Sequence, residues 1–548
     1  MRTIPSLSLI LIIIVLSCNP PKMKADLIVT NAKVYTVNDS FVIAESFAVR
    51  DGQFLAVGTN KEISSKYTSD QTIDCGGKAV YPGFNDAHCH FFGYGMNLMQ
   101  YADLAGITNQ EDIYRKLQEH HLKTGEMWLL GRGWDQNLWP EKEFPDNSRL
   151  NELFPDVAVY LIRVDGHAAW CNKKALQLAG ITSSTKIDGG EVLLKNGQPT
   201  GVLIDNAKEL VFNLIPEPGI DLKTKALLAA QKNCLEVGLT SVTDCGLAKE
   251  TILLMDSLQK QSSLKIRINA MMDPSEANLD YFLNEGPYIT DRLQVSTIKL
   301  YADGALGSRG ALLLGDYSDE PGNRGMLMNP ASWFESICQR AFDANFQIAT
   351  HCIGDGANHM ILNIYGKILK GTNDRRWRIE HAQVVDPEDM NLFGKYSVIP
   401  SIQATHATSD MFWAGKRLGS KRIKNAYAYQ QLLGQNGWLP NGTDFPVEGI
   451  NPMLTFYASV FRKNTAGLPE AGFQMGNALT REQALRSITL WPAKASFEEM
   501  NKGSIEVGKS ADFVLMDTDI MKCEPGDVLK AKVLKTVLGG EVVYDAGN

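Results

Sequence analysis

The sequence predicts an α/β protein: a (β/α)8 barrel with a small β-domain assembled from both chain ends and a large insertion after the first barrel strand. Three observations predict it. Eight strand-like runs between residues 79 and 446 alternate with helix-like periodicity, the pattern of a parallel sheet wrapped by crossover helices. Short alternating segments divided by Asn, Asp and Gly turns fill residues 26–81 and return in 496–548, as antiparallel hairpins do. Histidine, lysine and aspartate recur at the ends of the barrel-type strands, where a barrel's loops open onto its pocket.

At the N-terminus, the apolar run SLSLILIIIVLSC after Arg2 is followed at once by polar NPPKMK. It is shorter than the roughly 20 residues that cross a bilayer, so residues 1–18 read as a cleaved export signal. The run Val15, Leu16, Ser17, Cys18 resembles a bacterial lipoprotein signal, which implies lipidation at Cys18 and an exported protein anchored in the cell envelope, in periplasm or outer membrane. Leu16 is bulkier than that pattern prefers, so cleavage by an ordinary signal peptidase stays open. No other segment is long and apolar enough to span.

The remaining chain has an ordinary globular composition, with 44% hydrophobic and 21% charged residues. A net charge of -8 without a basic run argues against a nucleic-acid surface, because phosphate binding needs clustered Lys and Arg. Eight cysteines beyond Cys18 lack the dense spacing of a disulfide scaffold and sit largely in apolar strands, where a thiol behaves as a small hydrophobe.

The large middle portion, residues 82–495, carries the barrel strands. In order the runs are AVYPGFNDAHCH, LTSVTDCG, LKIRINAMM, STIKLYADG, FQIATHCIG, RWRIEHAQ, SVIPSIQ and WLPNGTDFP. Two more, MWLLGRGWD and VAVYLIRVDGH, fall between the first and second and are assigned to an insertion over about residues 97–235, together with the hairpin-like EVLLKNGQPTGVL.

The strand ends hold the candidate chemistry. His88 and His90 are two apart, so in a strand they share a face and can converge on one ion while Cys89 points away into packing. Imidazole suits zinc and its divalent neighbours. Lys299 on the fourth strand points into the barrel and must be paired, neutralised or modified. Three readings are open: a salt bridge to Asp303 or another inward acid, a Schiff-base amine, or a carbamate whose two oxygens bridge metals. His351 and His381, alone, would read as satisfied core histidines; on successive strand ends they become candidate ligands. Asp444 either caps the following turn or moves a proton beside an activated water. His120 and His121 are expected at the surface, and Trp134 and Trp139 read at least as well as packing as they do as substrate contacts. His359 and His406 are left without a role.

The ordered set PGFNDAHCH, IKLYADGALGSRGA, THCIGDGAN, RIEHAQ and GTDFPV resembles the amidohydrolase superfamily, in its YtcJ-like and N-substituted formamide deformylase-like branch. RVDGHAAW in the insertion and GSIEVGKSADFVLMD near the end extend the likeness over nearly all of the chain after the signal. The resemblance implies a distorted (β/α)8 TIM barrel with a β-sandwich built from both ends. It also implies one or two divalent ions, zinc first: His88, His90 and Asp444 on the more buried ion, His351 and His381 on the second, and carboxylated Lys299 between them. His167 would contact the substrate. Thr443 stands where a serine is frequent and Gly356 where a basic residue is frequent, departures that bear on substrate contacts. The implied activity is hydrolysis of a non-peptide C–N bond, in an amide, N-formyl or cyclic amide compound, by metal-activated hydroxide with Asp444 shuttling the proton. Two alternatives stand beside it: a lipid-anchored ligand-binding protein with a retired barrel site, and a metal-dependent esterase or lactonase. Expected partners are a small amide-type molecule, a membrane reached through the lipid anchor alone, and a second copy of the chain in a homodimer.

Overall fold

The computed structural model describes residues 22–124 and 127–547. The export-type segment and Cys18 lie outside the described residues. No helix among the described residues is long and apolar enough to cross a membrane.

Seven parallel strands form the barrel in sequence order: Phe84–Cys89, Leu239–Leu247, Arg267–Met272, Leu293–Tyr301, Gln347–Cys352, Arg378–His381 and Ile399–Ser401. They read as nearly continuous buried runs because a parallel sheet under helices is covered on both faces. The eighth run, WLPNGTDFP, was expected as a strand and is irregular. Pro440 and Pro446 have no N–H to give a ladder, and Asp444 takes a positive φ of 60°. The segment still closes the ring. Gly442 N donates to Ile402 O at 2.9 Å, and Asp444 N donates to His88 O at 2.8 Å. Glycine is required at 442, since a Cβ would lie 2.5 Å from His88 N.

Both chain ends build a β-sandwich. One sheet orders Gln53–Gly58, Ser46–Arg50, Leu27–Thr30 and Thr72–Asp74. The other interleaves the ends, with Ala79–Pro82 antiparallel to Phe513–Met516, which in turn pairs with Val533–Leu538. Val29, Phe47, Val80, Phe513 and Val537 fill one shared core, so burial of apolar surface ties the termini together.

Between the first and second barrel strands the chain makes helix Phe91–Gln100, then a six-stranded mixed sheet spanning Ala102–Asp103 to Gln198–Asp205, then helix Ile220–Glu236. The two helices pack closely enough that a Cβ on Gly95 would meet Ala226 O at 2.2 Å. The inserted sheet has its own core. Trp134 and Trp139 are fully buried with ring centroids 5.9 Å apart, and Trp170 lies 6.1 Å from Trp134, so these tryptophans serve packing.

Candidate active site

His88 leaves the end of the first barrel strand fully buried, and its ring lies 5.7 Å from that of His90. Cys89 points the other way, its thiol directed at Thr243 O at 3.3 Å in the core. Two acids fix His88. Asp86 accepts from its backbone N–H at 3.1 Å and from the Thr443 hydroxyl at 2.7 Å. Glu380 Oε2 lies 2.6 Å from His88 Nδ1, while Glu380 Oε1 faces Arg378 Nε at 2.6 Å. Burial raises a carboxyl's pKa, but Arg378 and then His88 outweigh it and hold Glu380 down at about 2. An anionic Glu380 accepts the Nδ1 proton, so the Nε2 lone pair of His88 faces inward.

What Nε2 faces is the rest of the predicted set. Lys299 Nζ is 3.4 Å away and Asp444 Oδ1 is 3.6 Å away, and His90 Nε2 is 3.3 Å from the same oxygen. The His381 ring lies 4.9 Å from that of His88 and 4.5 Å from that of His351. The structure therefore brings His88, His90, Lys299, His351, His381 and Asp444 to one place. Ligand atoms of His88, His381 and Asp444 lie within 4.8 Å of one another, all buried.

The donor set fits a divalent cation. Asp444 Oδ1 and His381 Nδ1 are buried without a hydrogen-bond partner, an arrangement that is costly unless something else meets those lone pairs. Burial, reinforced by Lys299, pushes His88 down to about 4; burial also holds His351 and His381 well below the usual histidine value. All three are neutral at pH 7, the form that ligates metal. Burial alone would raise Asp444, yet the hydrogen bond from His406 and the neighbouring imidazoles of His90, His88 and His381 hold it well below the usual carboxylate range.

Lys299 is fully buried and has no carboxylate within 4.0 Å among the described residues; its Nζ sits 4.4 Å from the Tyr301 ring centroid. Asp303 is not its partner. That carboxylate accepts from the backbone N–H groups of Leu312, Ile353 and Gly354 at 2.8 to 3.0 Å.

His167 reaches the cluster from the inserted sheet, its ring 4.9 Å from that of His351 and its Nδ1 2.7 Å from Asp205 Oδ1. His406, given no role by the sequence, bridges Asp444 Oδ2 and Glu448 Oε1, each at 3.1 Å. Burial lowers its pKa, but Asp444 and Glu448 outweigh that and raise it well above the usual value, so His406 is a cation braced between two acids. His359 is away from the cluster, on Asp389 at 2.9 Å. His120 and His121 are half-buried on helix Gln110–Thr124 rather than on the surface, with His120 Nε2 3.1 Å from Gln100 O. Sequence reasoning missed Glu380, Glu448 and Asp205 altogether. The one available signal was for Glu380, an acid next to a predicted ligand in RIEH.

The cluster floors a cavity of about 640 Å³ between barrel and inserted sheet, with Leu138, Phe412 and Trp413 toward its apolar side. Cavity, barrel and donor set define a hydrolase class, and the chain belongs to the amidohydrolase family, whose model matches residues 71–544. Among its relatives, the protein LONG AFTER FAR-RED 3 of Arabidopsis thaliana is 33% identical over 96% of this chain and 93% of its own. YtcJ of Bacillus subtilis is 30% identical over 93% of this chain and 98% of its own, and the N-substituted formamide deformylase of Arthrobacter pascens 24% over 95% and 98%. A solved structure of a metal-dependent hydrolase from Pyrococcus horikoshii superposes with a TM-score of 0.74 at 27% identity, covering 91% of this chain and 99% of that one.

Proposed function

We propose that the protein is a metal-dependent amidohydrolase that cleaves a non-peptide C–N bond in an amide, N-formyl or cyclic amide compound. The observation that carries this is the convergence of four imidazoles, a buried lysine without an acidic partner and a carboxylate with an unmet oxygen on one cavity floor. The formamide deformylase relative supports the choice of bond.

On this reading His88, His90 and Asp444 would hold one divalent cation, His351 and His381 would hold a second, and Lys299, carboxylated on Nζ, would be a further ligand. Nitrogen and oxygen donors of this kind suit zinc. A cation bound there would supply Lewis acidity for an attacking water and for the scissile carbonyl. The chain's own residues do the remainder. Asp444 accepts a proton from the attacking water and delivers it to the departing nitrogen. His406 grips the other Asp444 oxygen and keeps the carboxylate anionic. Glu380 holds His88 in one tautomer. His167, oriented by Asp205, is placed to donate to the acyl portion of the substrate.

The test is metal analysis of the purified protein followed by a turnover screen of N-formyl, N-acyl and cyclic amides beside esters and lactones. Bound metal with amide turnover is expected. Bound metal without turnover of any compound would mean a ligand-binding protein, and turnover of esters alone would mean an esterase. We also propose export and acylation at Cys18; palmitate labelling that survives Cys18→Ser would overturn it.

A further inference from the structure

A second cavity, of about 690 Å³, adjoins the first and shares His90, Asp165, His167, Tyr301 and Val447 with it. It lies between the inserted sheet and helices Phe91–Gln100 and Asn206–Phe212, and its wall mixes apolar Phe92, Met96, Leu130, Ile162 and Phe212 with charged side chains. Arg132 differs from the other charges in its pairing. Its Nε is buried without a partner, and its single hydrogen bond is a long one, from Nη2 to Val164 O at 3.5 Å. Among the described residues no carboxylate comes within 4.0 Å of it, and four of a guanidinium's five donors stay uncommitted.

The other charges around this cavity are already paired. Lys208 is on Glu209 and Lys223 on Glu217; Asp165 is held by Arg163, and Asp273 accepts from Ser275 N and Asn278. Burial dominates at Arg132 and lowers its pKa, with only longer-range attraction from Asp444 and Asp165 in opposition. Arg132 is half-buried in the cavity wall and keeps its charge, so its uncommitted Nη groups are free to meet an anion that enters the cavity. Its position is suggestive as well. Both Nη atoms lie 3.7 Å from where a Cβ on Gly166 would stand, beside the turn that delivers His167 to the cluster.

We propose that Arg132 is a specificity-determining residue, binding a carboxylate on the substrate, so that the preferred substrates are acidic amides such as N-formyl or N-acyl amino acids. This rests on the hydrolase reading above and names its substrate class. The planar fork of the guanidinium takes a carboxylate bidentately. With the carboxylate in this chamber, the substrate would pass His90 and His167, which line both cavities, so that the bond to be cleaved reaches the cluster on the floor of the first, and the uncharged arm enters that cavity beside Leu138, Phe412 and Trp413.

The experiment compares N-formyl-leucine and N-acetyl-leucine with their carboxamides, which keep the scissile bond and remove the charge. It uses the metal-loaded protein, with calorimetric binding of N-acetyl-leucine measured in parallel. The expected result is a kcat/KM at least tenfold higher for the acids. Arg132→Met should lower it about 100-fold for the acids, mainly through KM, and leave the carboxamides within about threefold. Arg132→Lys should retain part of the preference. The wild-type preference alone decides the matter if Arg132→Met does not fold. Equal turnover of acids and carboxamides would overturn the proposal while leaving the hydrolase reading intact. No turnover, but calorimetric binding that Arg132→Met abolishes, would uphold the carboxylate site and defeat the hydrolase reading. Neither turnover nor binding would overturn the proposal.

Discussion

Replacing Glu380 with glutamine changes one charge and almost no volume, at a residue that touches neither cavity. Glu380 is fully buried between Arg378 Nε and His88 Nδ1, at 2.6 Å from each. Glutamine removes the charge that pairs with Arg378, so a buried guanidinium is left with only Ala87 O and Ser401 Oγ, at 2.6 and 2.9 Å. Removing one partner of a buried ion pair costs about 3–5 kcal/mol. A second route gives a similar size: a carboxyl held from 4.5 down to about 2 prefers its charged form by about 3 kcal/mol. Urea unfolding of the metal-free protein at pH 7 should therefore show Glu380→Gln less stable by about 3 kcal/mol. Because the folded-state pKa is depressed, the wild-type advantage is complete above about 4.5 and is lost as pH falls toward about 2. The loosened His88 should also weaken metal affinity by about 10–100-fold in a chelator competition. A variant within 1 kcal/mol of wild type, with unchanged metal affinity, would refute the bracing role assigned to this acid.

Three other outcomes follow from the same geometry. Asp444→Asn should keep at least one bound metal yet lose about 10²–10⁴-fold in kcat, read by metal analysis beside steady-state rates; near-normal rates would remove the proton-transfer role. His406→Asn deletes the donor to Asp444 Oδ2, so the Asp444 pKa should rise and the acidic limb of the kcat/KM profile should move to higher pH; an unmoved limb would separate His406 from Asp444. With 13C-bicarbonate and zinc present, a carbamate carbon signal is expected from wild type and should vanish in Lys299→Met, while a signal that persists would place the carbamate elsewhere.

The parts legible in sequence are those that short-range periodicity encodes. The barrel strands announce themselves as apolar runs because both faces are buried, and His88 and His90 are readable as a pair because two residues return a strand side chain to the same face. Cys89 as an outward spacer follows from the same rule. The eighth strand was over-read, since Pro440 and Pro446 flank a segment that closes the barrel through single backbone bonds instead of a ladder. Supporting residues were hidden for a different reason. Glu380 is 292 positions from His88, and Asp205 is 38 from His167, so each partnership exists only after strand ends are brought together. His406 in QATHATS carried no local mark of its two acids, because Asp444 and Glu448 come from the segment that closes the barrel and its following loop. The tryptophans of the insertion looked equally suited to substrate or core, and burial decided for the core.

The most direct measurement is anomalous diffraction at the zinc edge from crystals of the metal-loaded protein. Peaks about 2.0–2.3 Å from the His88, His381 and Asp444 donor atoms, with density extending beyond Lys299 Nζ, are predicted. A site without anomalous signal, with Asp444 Oδ1 and His381 Nδ1 satisfied by ordered water and Lys299 unmodified, would contradict the account.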